Sequence, residues 1–354
     1  MSEALLARLL DGWSDGPWVL ATVLTSRGAT PRKAGAMMCV GKAECFGSVG
    51  GGEAEARVQR QARAMLSEHI DAADMVIDLG GGPGAAGICG GQMRIGLRKL
   101  GSAADRRWVQ AAVEQLQAGR AVRFSVDELG AGKRERSLRH RSLQQATQVN
   151  ASAPSATEIE TISVDLQPNP RLLIVGGGHC GVALYQLAQL LDFDIWLFDE
   201  RPDQLSTMSL NAAHCLQGDF DQLALALDTP RPVYAVLLTR NFQCDIAALR
   251  VLARKPPAWT GMMGSRKRVR EVVDGLPELI RPVAQRASQA SKTTRSVDLE
   301  SKAILTPFLL AGRPLMAPVG IEIGAESPAE IALAVLAQVL SQIKSGRFFP
   351  PTSS

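Results

Sequence analysis

The sequence has 354 residues, 46% apolar and 21% charged, which fits two or three globular domains and excludes a disordered or fibrous chain. Lys and Arg number 39 against 35 Asp and Glu, a net charge of +4, and aromatics make up 5%. So weak a basic bias, with so few stacking rings, argues against a nucleic-acid scaffold.

In chain order, residues 2–12 read as a short amphipathic helix with Leu5, Leu6, Leu9 and Leu10 on one face. Glu3 falls where a secretory leader would carry basic charge, and no run approaches the roughly 18–20 apolar residues of a membrane helix. A soluble, cytoplasmic protein without a membrane segment is the expectation. Residues 18–25 and 36–40 read as strands, 53–66 as a helix, 75–79 as a strand and 105–118 as a helix. Glycine-dense loops join them. Residues 144–157 lose the apolar pattern and fill with Gln, Ser, Ala and Pro, a linker composition. The expected division is therefore a first domain over 1–140, a linker over 141–168 and a second domain over 169–354.

Beyond the linker, strands are expected at 171–175, 194–198 and 233–239, with a helix at 182–191. A polar stretch at 285–302 reads as an insertion. Ser327-Pro328-Ala329-Glu330 is a capping box with proline at the first helical position, opening a helix through Ile343. The expected fold class is α/β: a mixed first domain with glycine-rich loops, then a Rossmann-like doubly wound parallel sheet.

Gly176, Gly178 and Gly181 form G-x-G-x-x-G between a strand and a helix. Such glycines make the tight turn, admit a phosphate to the backbone and let the helix pack on the strand; the helix N-terminus then favours an anion. Asp199 ends the next strand 23 residues after Gly176, where a carboxylate accepts from ribose hydroxyls. The chemistry of a dehydrogenase is harder to find. Neither Tyr185 nor Tyr234 starts a Tyr-x-x-x-Lys pair, and the sequence holds no phosphate-binding G-x-x-x-x-G-K-[ST] loop or H-E-x-x-H.

In the first half, Gly47-Ser48-Val49-Gly50-Gly51-Gly52 leads into a helix bearing Glu53 and Glu55. Residues 80–91 hold seven glycines and Cys89. Glycine is costly in chain entropy, so this density needs a reason: tight turns, or close approach of backbone N–H groups to an oxyanion. Cys89 is either an inert thiol or an open, soft ligand. Arg32 is either a solvated loop residue or a phosphate clamp. The six cysteines form no C-x-x-C pair, which argues against a disulfide framework or zinc knuckle.

Taken in order, SRGATPRKAGAMM (26–38), GSVGGGEAE (47–55), GICGG (87–91), IVGGGHCG (174–181), DERP (199–202), TRNFQCD (239–245), GMMGSRKR (261–268) and APVGIEIGAESPAEIA (317–332) resemble the XdhC/CoxI family. Its members are accessory factors of molybdenum hydroxylases such as xanthine dehydrogenase. The resemblance implies a chaperone that binds the molybdenum cofactor, as molybdopterin or its cytosine dinucleotide form. It would protect the cofactor during sulfuration and insert it into an apo molybdenum hydroxylase. The implied partners are that apo-enzyme, a cysteine desulfurase and a molybdopterin nucleotidyltransferase. A homodimer is expected on general grounds of oligomer symmetry.

Under that resemblance Cys89 contacts molybdenum or its sulfur, with Gly90 and Gly91 as backbone donors. Arg32 and Gly50, Gly51 and Gly52 take the phosphate, and Glu55 orients the pterin or caps its helix. Gly176, Gly178, His179, Gly181, Asp199 and Arg201 take a nucleotide, with Gly264, Ser265 and Arg266 over its phosphates. Two features depart from the family pattern: Phe242 stands where an aromatic or histidine alternates, so no imidazole is available there, and the stretch at 285–302 is long. The competing readings are an NAD(P)-dependent oxidoreductase using residues 174–201, and a structural scaffold needing no ligand.

Overall fold

The first seven residues of WVLATVLTSR are all buried, as expected for a strand covered on both faces. In the computed structural model, residues 2–82, 84–87, 90–126, 162–201, 204–205, 214–282 and 307–345 are described. They fall into two compact units, Met1–Asn169 and Pro170–Ser354.

The first unit runs α1 (Ser2–Asp11), β1 (Trp18–Arg27), β2 (Met37–Val40), β3 (Cys45–Gly47), α2 (Gly52–Glu68), β4 (Ala72–Asp78), β5 (Gln92–Leu100), α3 (Ala103–Gln117), β6 (Val122–Val126) and β7 (Ile162–Leu166). Its main sheet has the order β3-β2-β1-β5-β4, with neighbours antiparallel. Alternation along β1 sets the layers. Trp18, Leu20 and Leu24 pack with α1 and α3, while Val19, Ala21 and Val23 pack with Ala54, Val58, Ala62 and Met65 of α2. A capping box starts α3: the Ser102 hydroxyl accepts from the Asp105 N–H, and the Asp105 carboxylate accepts from the Ser102 N–H.

Two strands of this sheet, β3 and β5, escaped the sequence reading. β5 alternates buried Met93, Ile95 and Leu97 with Arg94, Gly96 and Arg98, a period-2 signal hidden between a glycine loop and a helix. The linker expectation also changes at its end. Ile162–Leu166 pairs antiparallel with Val122–Val126, and Val122, Val164 and Leu166 join the α1/α3 core. Residues 127–161 and the stretch at 285–302 lie outside the described residues.

The second unit runs β8 (Arg171–Val175), α4 (His179–Ala188), β9 (Asp194–Asp199), β10 (His214–Gln217), α5 (Leu223–Leu227), β11 (Val233–Leu237), α6 (Phe242–Arg254), β12 (Trp259–Met262), α7 (Arg266–Gly275), β13 (Ile280–Pro282), β14 (Pro307–Leu310), β15 (Arg313–Met316) and α8 (Pro328–Ser345). Its sheet order is β10-β9-β8-β11-β12-β15-β14-β13, and all pairs from β10 to β15 are parallel. That is the 3-2-1-4-5-6 order of a dinucleotide-type sheet, extended by two antiparallel strands. Helices α4 and α8 cover one face; α5, α6 and α7 cover the other. The expected capping box is present, with Glu330 accepting from the Ser327 N–H at 2.9 Å and donating its own N–H to the Ser327 hydroxyl at 3.3 Å. Among the described residues no helix is long and apolar enough to cross a membrane.

Candidate functional site

Three loops meet at one end of the first unit's sheet: 28–36 after β1, 48–51 before α2, and 79–91 between β4 and β5. Where 28–36 meets 79–91 the approach is backbone to backbone, which is why glycine is required there. A Cβ on Gly91 would lie 2.3 Å from the Ala29 carbonyl oxygen, and one on Gly28, at φ +68°, would lie 3.0 Å from that of Gly90. Gly50 sits against the ring of Pro31, and the Arg57 guanidinium donates to the Gly84 carbonyl at 2.9 Å.

The predicted residues divide into engaged and open ones. Glu55 turns back onto its own loop. It accepts from the Ser48 hydroxyl at 2.5 Å and from the N–H groups of Gly51 and Gly50 at 2.8 and 3.3 Å. Burial pushes this carboxyl up, but the Ser48 hydroxyl and the amides of Gly51, Gly50 and Val49 win and hold it below the usual range. The amides expected to cradle a phosphate thus already hold a carboxylate. The Gly90 N–H is also taken, donating to the Leu79 carbonyl at 2.8 Å. Arg32, in the 28–36 loop, is half-buried; its carbonyl accepts from the Thr30 hydroxyl at 2.9 Å, and its guanidinium has no partner among the described residues. Cys89 lies outside the described residues. Burial raises the thiols of Cys180, Cys215, Cys39 and Cys244, so none of those four is an activated thiolate.

In the second unit the glycine turn follows β8. Gly176 has φ +116° and abuts the Leu238 carbonyl, and a Cβ on Gly181 would fall 1.8 Å from the Gly176 carbonyl oxygen. Gly178, the residue before α4, faces open space. Asp199 is only 1% exposed and fully engaged, which changes the expectation of a free ribose acceptor. Its Oδ2 accepts from the Gly177 N–H at 2.7 Å, and the Arg201 guanidinium grips both oxygens at 2.8 and 2.9 Å. Gln204 donates to the Gly177 carbonyl at 2.9 Å, and Leu205 packs on the same residue. Burial would raise the Asp199 carboxyl, but Arg201 and the two amides hold it low. A ribose at this position has to displace Arg201.

Gly264, Ser265 and Arg266 stand elsewhere. They follow β12, two strands from β8, roughly 10 Å across the sheet at the usual spacing. They line a separate cleft with residues 317–325. The Thr-Arg-Asn segment and Asp245 prove structural. Asp245 is fully buried, accepts from the Thr239 hydroxyl at 2.7 Å and from Arg268 Nε at 2.7 Å, and so ties α6 to α7; this pairing was not foreseen. Burial nevertheless pushes its carboxyl above the usual range, against the opposing pull of Thr239 and Arg268. Among the described residues no group of three or more His, Cys, Asp or Glu gathers to hold a metal.

Fold and loops together define a two-unit α/β protein: a glycine-loop unit followed by a dinucleotide-type domain with an engaged acidic residue. The XdhC and CoxI family pattern matches residues 13–76, and that of the XdhC Rossmann domain matches residues 172–288. The chain belongs to the XdhC and CoxI family. Among its relatives is the uncharacterized protein YqeB of Escherichia coli K12, 27% identical over 336 residues that span 93% of this chain. This chain spans only 44% of that protein's length. A Bacillus subtilis protein described as a probable subunit of xanthine dehydrogenase is 25% identical over 343 residues, covering 92% of this chain and 93% of its own. A crystal structure described as a xanthine dehydrogenase from Bacillus halodurans shares the fold, with TM-score 0.70 at 22% identity, covering 98% of this chain and 96% of that one.

Proposed function

We propose that this chain is an accessory protein of a xanthine-dehydrogenase-type molybdenum hydroxylase. It holds the molybdenum cofactor, as molybdopterin or its cytosine dinucleotide form, while a cysteine desulfurase sulfurates it, and passes it to the apo-enzyme. Family membership supports this, as does the name of the Bacillus subtilis relative. The observation that carries it is the meeting of three glycine loops, one of which holds a half-buried Arg32 whose guanidinium has no partner among the described residues. Arg32, rather than the amides of Gly50 and Gly51, then takes the cofactor's phosphate, because Glu55 already occupies those amides. Cys89, within the same 79–91 loop, is the soft ligand for molybdenum or its sulfur. The engaged state of Asp199 speaks against the competing NAD(P) oxidoreductase reading.

The test is retention of molybdenum cofactor through anaerobic gel filtration, read by pterin fluorescence. The native chain is expected to retain it, and Cys89→Ala and Arg32→Ala to lose most of it. Retention by neither native nor variant protein, alongside micromolar NAD(P) binding, would overturn the proposal in favour of the oxidoreductase.

A further inference from the structure

The cleft beyond β12 has a volume of about 880 Å³, within the roughly 300–1,000 Å³ typical of small-molecule sites. It opens beside the carboxyl ends of the parallel strands β12 and β15, on the side of the sheet where open α/β folds bind their ligands, though away from the switch point between β8 and β11. One wall is α7. Arg266 and Arg270, four residues apart on that helix, both line the cleft and have no partner among the described residues. Arg268, between them, is spent on Asp245 and Thr239.

The facing wall is the 317–325 loop, and it is held rather than slack. The Val319 N–H donates to the Met262 carbonyl at 2.9 Å, and the Ile321 N–H to that of Ala334 at 3.2 Å. The buried Gln338 side chain accepts from the Gly320 N–H at 2.7 Å. This loop presents Ile321 and Ile323 at 43% and 47% exposure, a costly display of apolar surface unless something covers it. Glu322 is the one acidic residue among those lining the cleft.

Two guanidinium groups without a partner among the described residues, opposite a fixed apolar shelf, match a molecule with a phosphate at one end and a flat apolar body at the other. We propose that this cleft binds such a phosphorylated small molecule, with Arg266 and Arg270 on the phosphates and Ile321 and Ile323 against the body. The site shares no residue with the 174–181 turn or with the first unit's loops. It does not depend on the proposed cofactor role, and its test uses neither Cys89 nor molybdenum.

The experiment is calorimetric titration of the full chain with ADP, adenosine and inorganic pyrophosphate. ADP is expected to bind, with adenosine at least tenfold weaker. Joint Arg266→Ala and Arg270→Ala substitution is expected to weaken ADP and pyrophosphate at least tenfold. Both arginines are exposed, so an unchanged unfolding midpoint is expected to accompany the loss. Ile321→Asn is expected to weaken ADP and spare pyrophosphate, and Glu322→Gln to tighten both by removing a like charge. Binding of neither ADP nor pyrophosphate, binding indifferent to the two arginines, or binding lost instead on Gly178→Val would each overturn the site. Weaker binding on Glu322→Gln would do the same, since it would mark a site for cations.

Discussion

At Asp199 a residue chosen by its spacing turns out to have a different occupation. Its position at the end of β9 is the one expected for a ribose acceptor, yet both oxygens serve Gly177 and Arg201. A carboxylate this buried stays ionised only because three donors surround it. The folded pKa is lowered, so the stability it contributes is present above the unfolded value near 3.9 and is lost as pH falls through the folded value. Asp199→Asn keeps the shape but removes the charge. It is expected to cost about 1–3 kcal/mol at pH 7, as for hydrogen bonds to a charged group. That cost should shrink as pH falls from the unfolded value through the folded one. Urea unfolding of both proteins at pH 7 and pH 2.5 checks it; an equal cost at both values would sink the account. If Arg201 guards the turn, the variant should also gain affinity for nucleotides there.

At the scale of elements, the glycine loops explain what patterning can and cannot tell. Apolar periodicity located α1, α2, α3, β1 and β8, because each buries a continuous face. It passed over β5, whose alternating Met93, Ile95 and Leu97 needed only to be counted, and over the three-residue β3, which is too short to carry a pattern. Glycine density announced special backbone at 47–52 and 80–91, and the positive φ values of Gly50, Gly51 and Gly52 bear that out. What density could not reveal is where the N–H groups point. That depended on Glu55 reaching back from α2, a contact across a loop with no periodic signature. The bond should be measurable. Glu55→Ala is expected to speed hydrogen exchange at the Gly50 and Gly51 amides at least tenfold and to cost about 1–2 kcal/mol at pH 7. Because the Glu55 carboxyl is held low, its contribution is present above the unfolded value near 4.3 and fades as pH falls below it. Unchanged exchange at both amides would show that the turn holds itself.

At the scale of the whole molecule, composition marked a change of character at 144–157 and the glycine turn at 176–181 pointed to a Rossmann sheet beyond it; the strand order carries that fold. It did not locate the last strand of the first unit. ISVDL follows a polar tract and looks like its end, yet Val164 and Leu166 are 4% and 1% exposed in the α1/α3 core. Beside them Arg123 pairs with Asp165 at 2.7 Å across the β6–β7 ribbon, an exposed contact of small value compared with the two apolar side chains. At about 1.5–3 kcal/mol for each fully buried Val or Leu, a fragment ending at residue 140 forfeits roughly 3–6 kcal/mol. It also leaves the edge of β6 unpaired. A domain of this size has only about 5–15 kcal/mol in hand. A fragment of residues 1–169 should therefore unfold cooperatively, while 1–140 should be marginal or aggregate. Adding Val164→Ala and Leu166→Ala to the longer fragment should bring its urea midpoint most of the way down to that of the shorter one. Equal midpoints for 1–140 and 1–169 would mean that the β6–β7 ribbon adds nothing to the first unit's core.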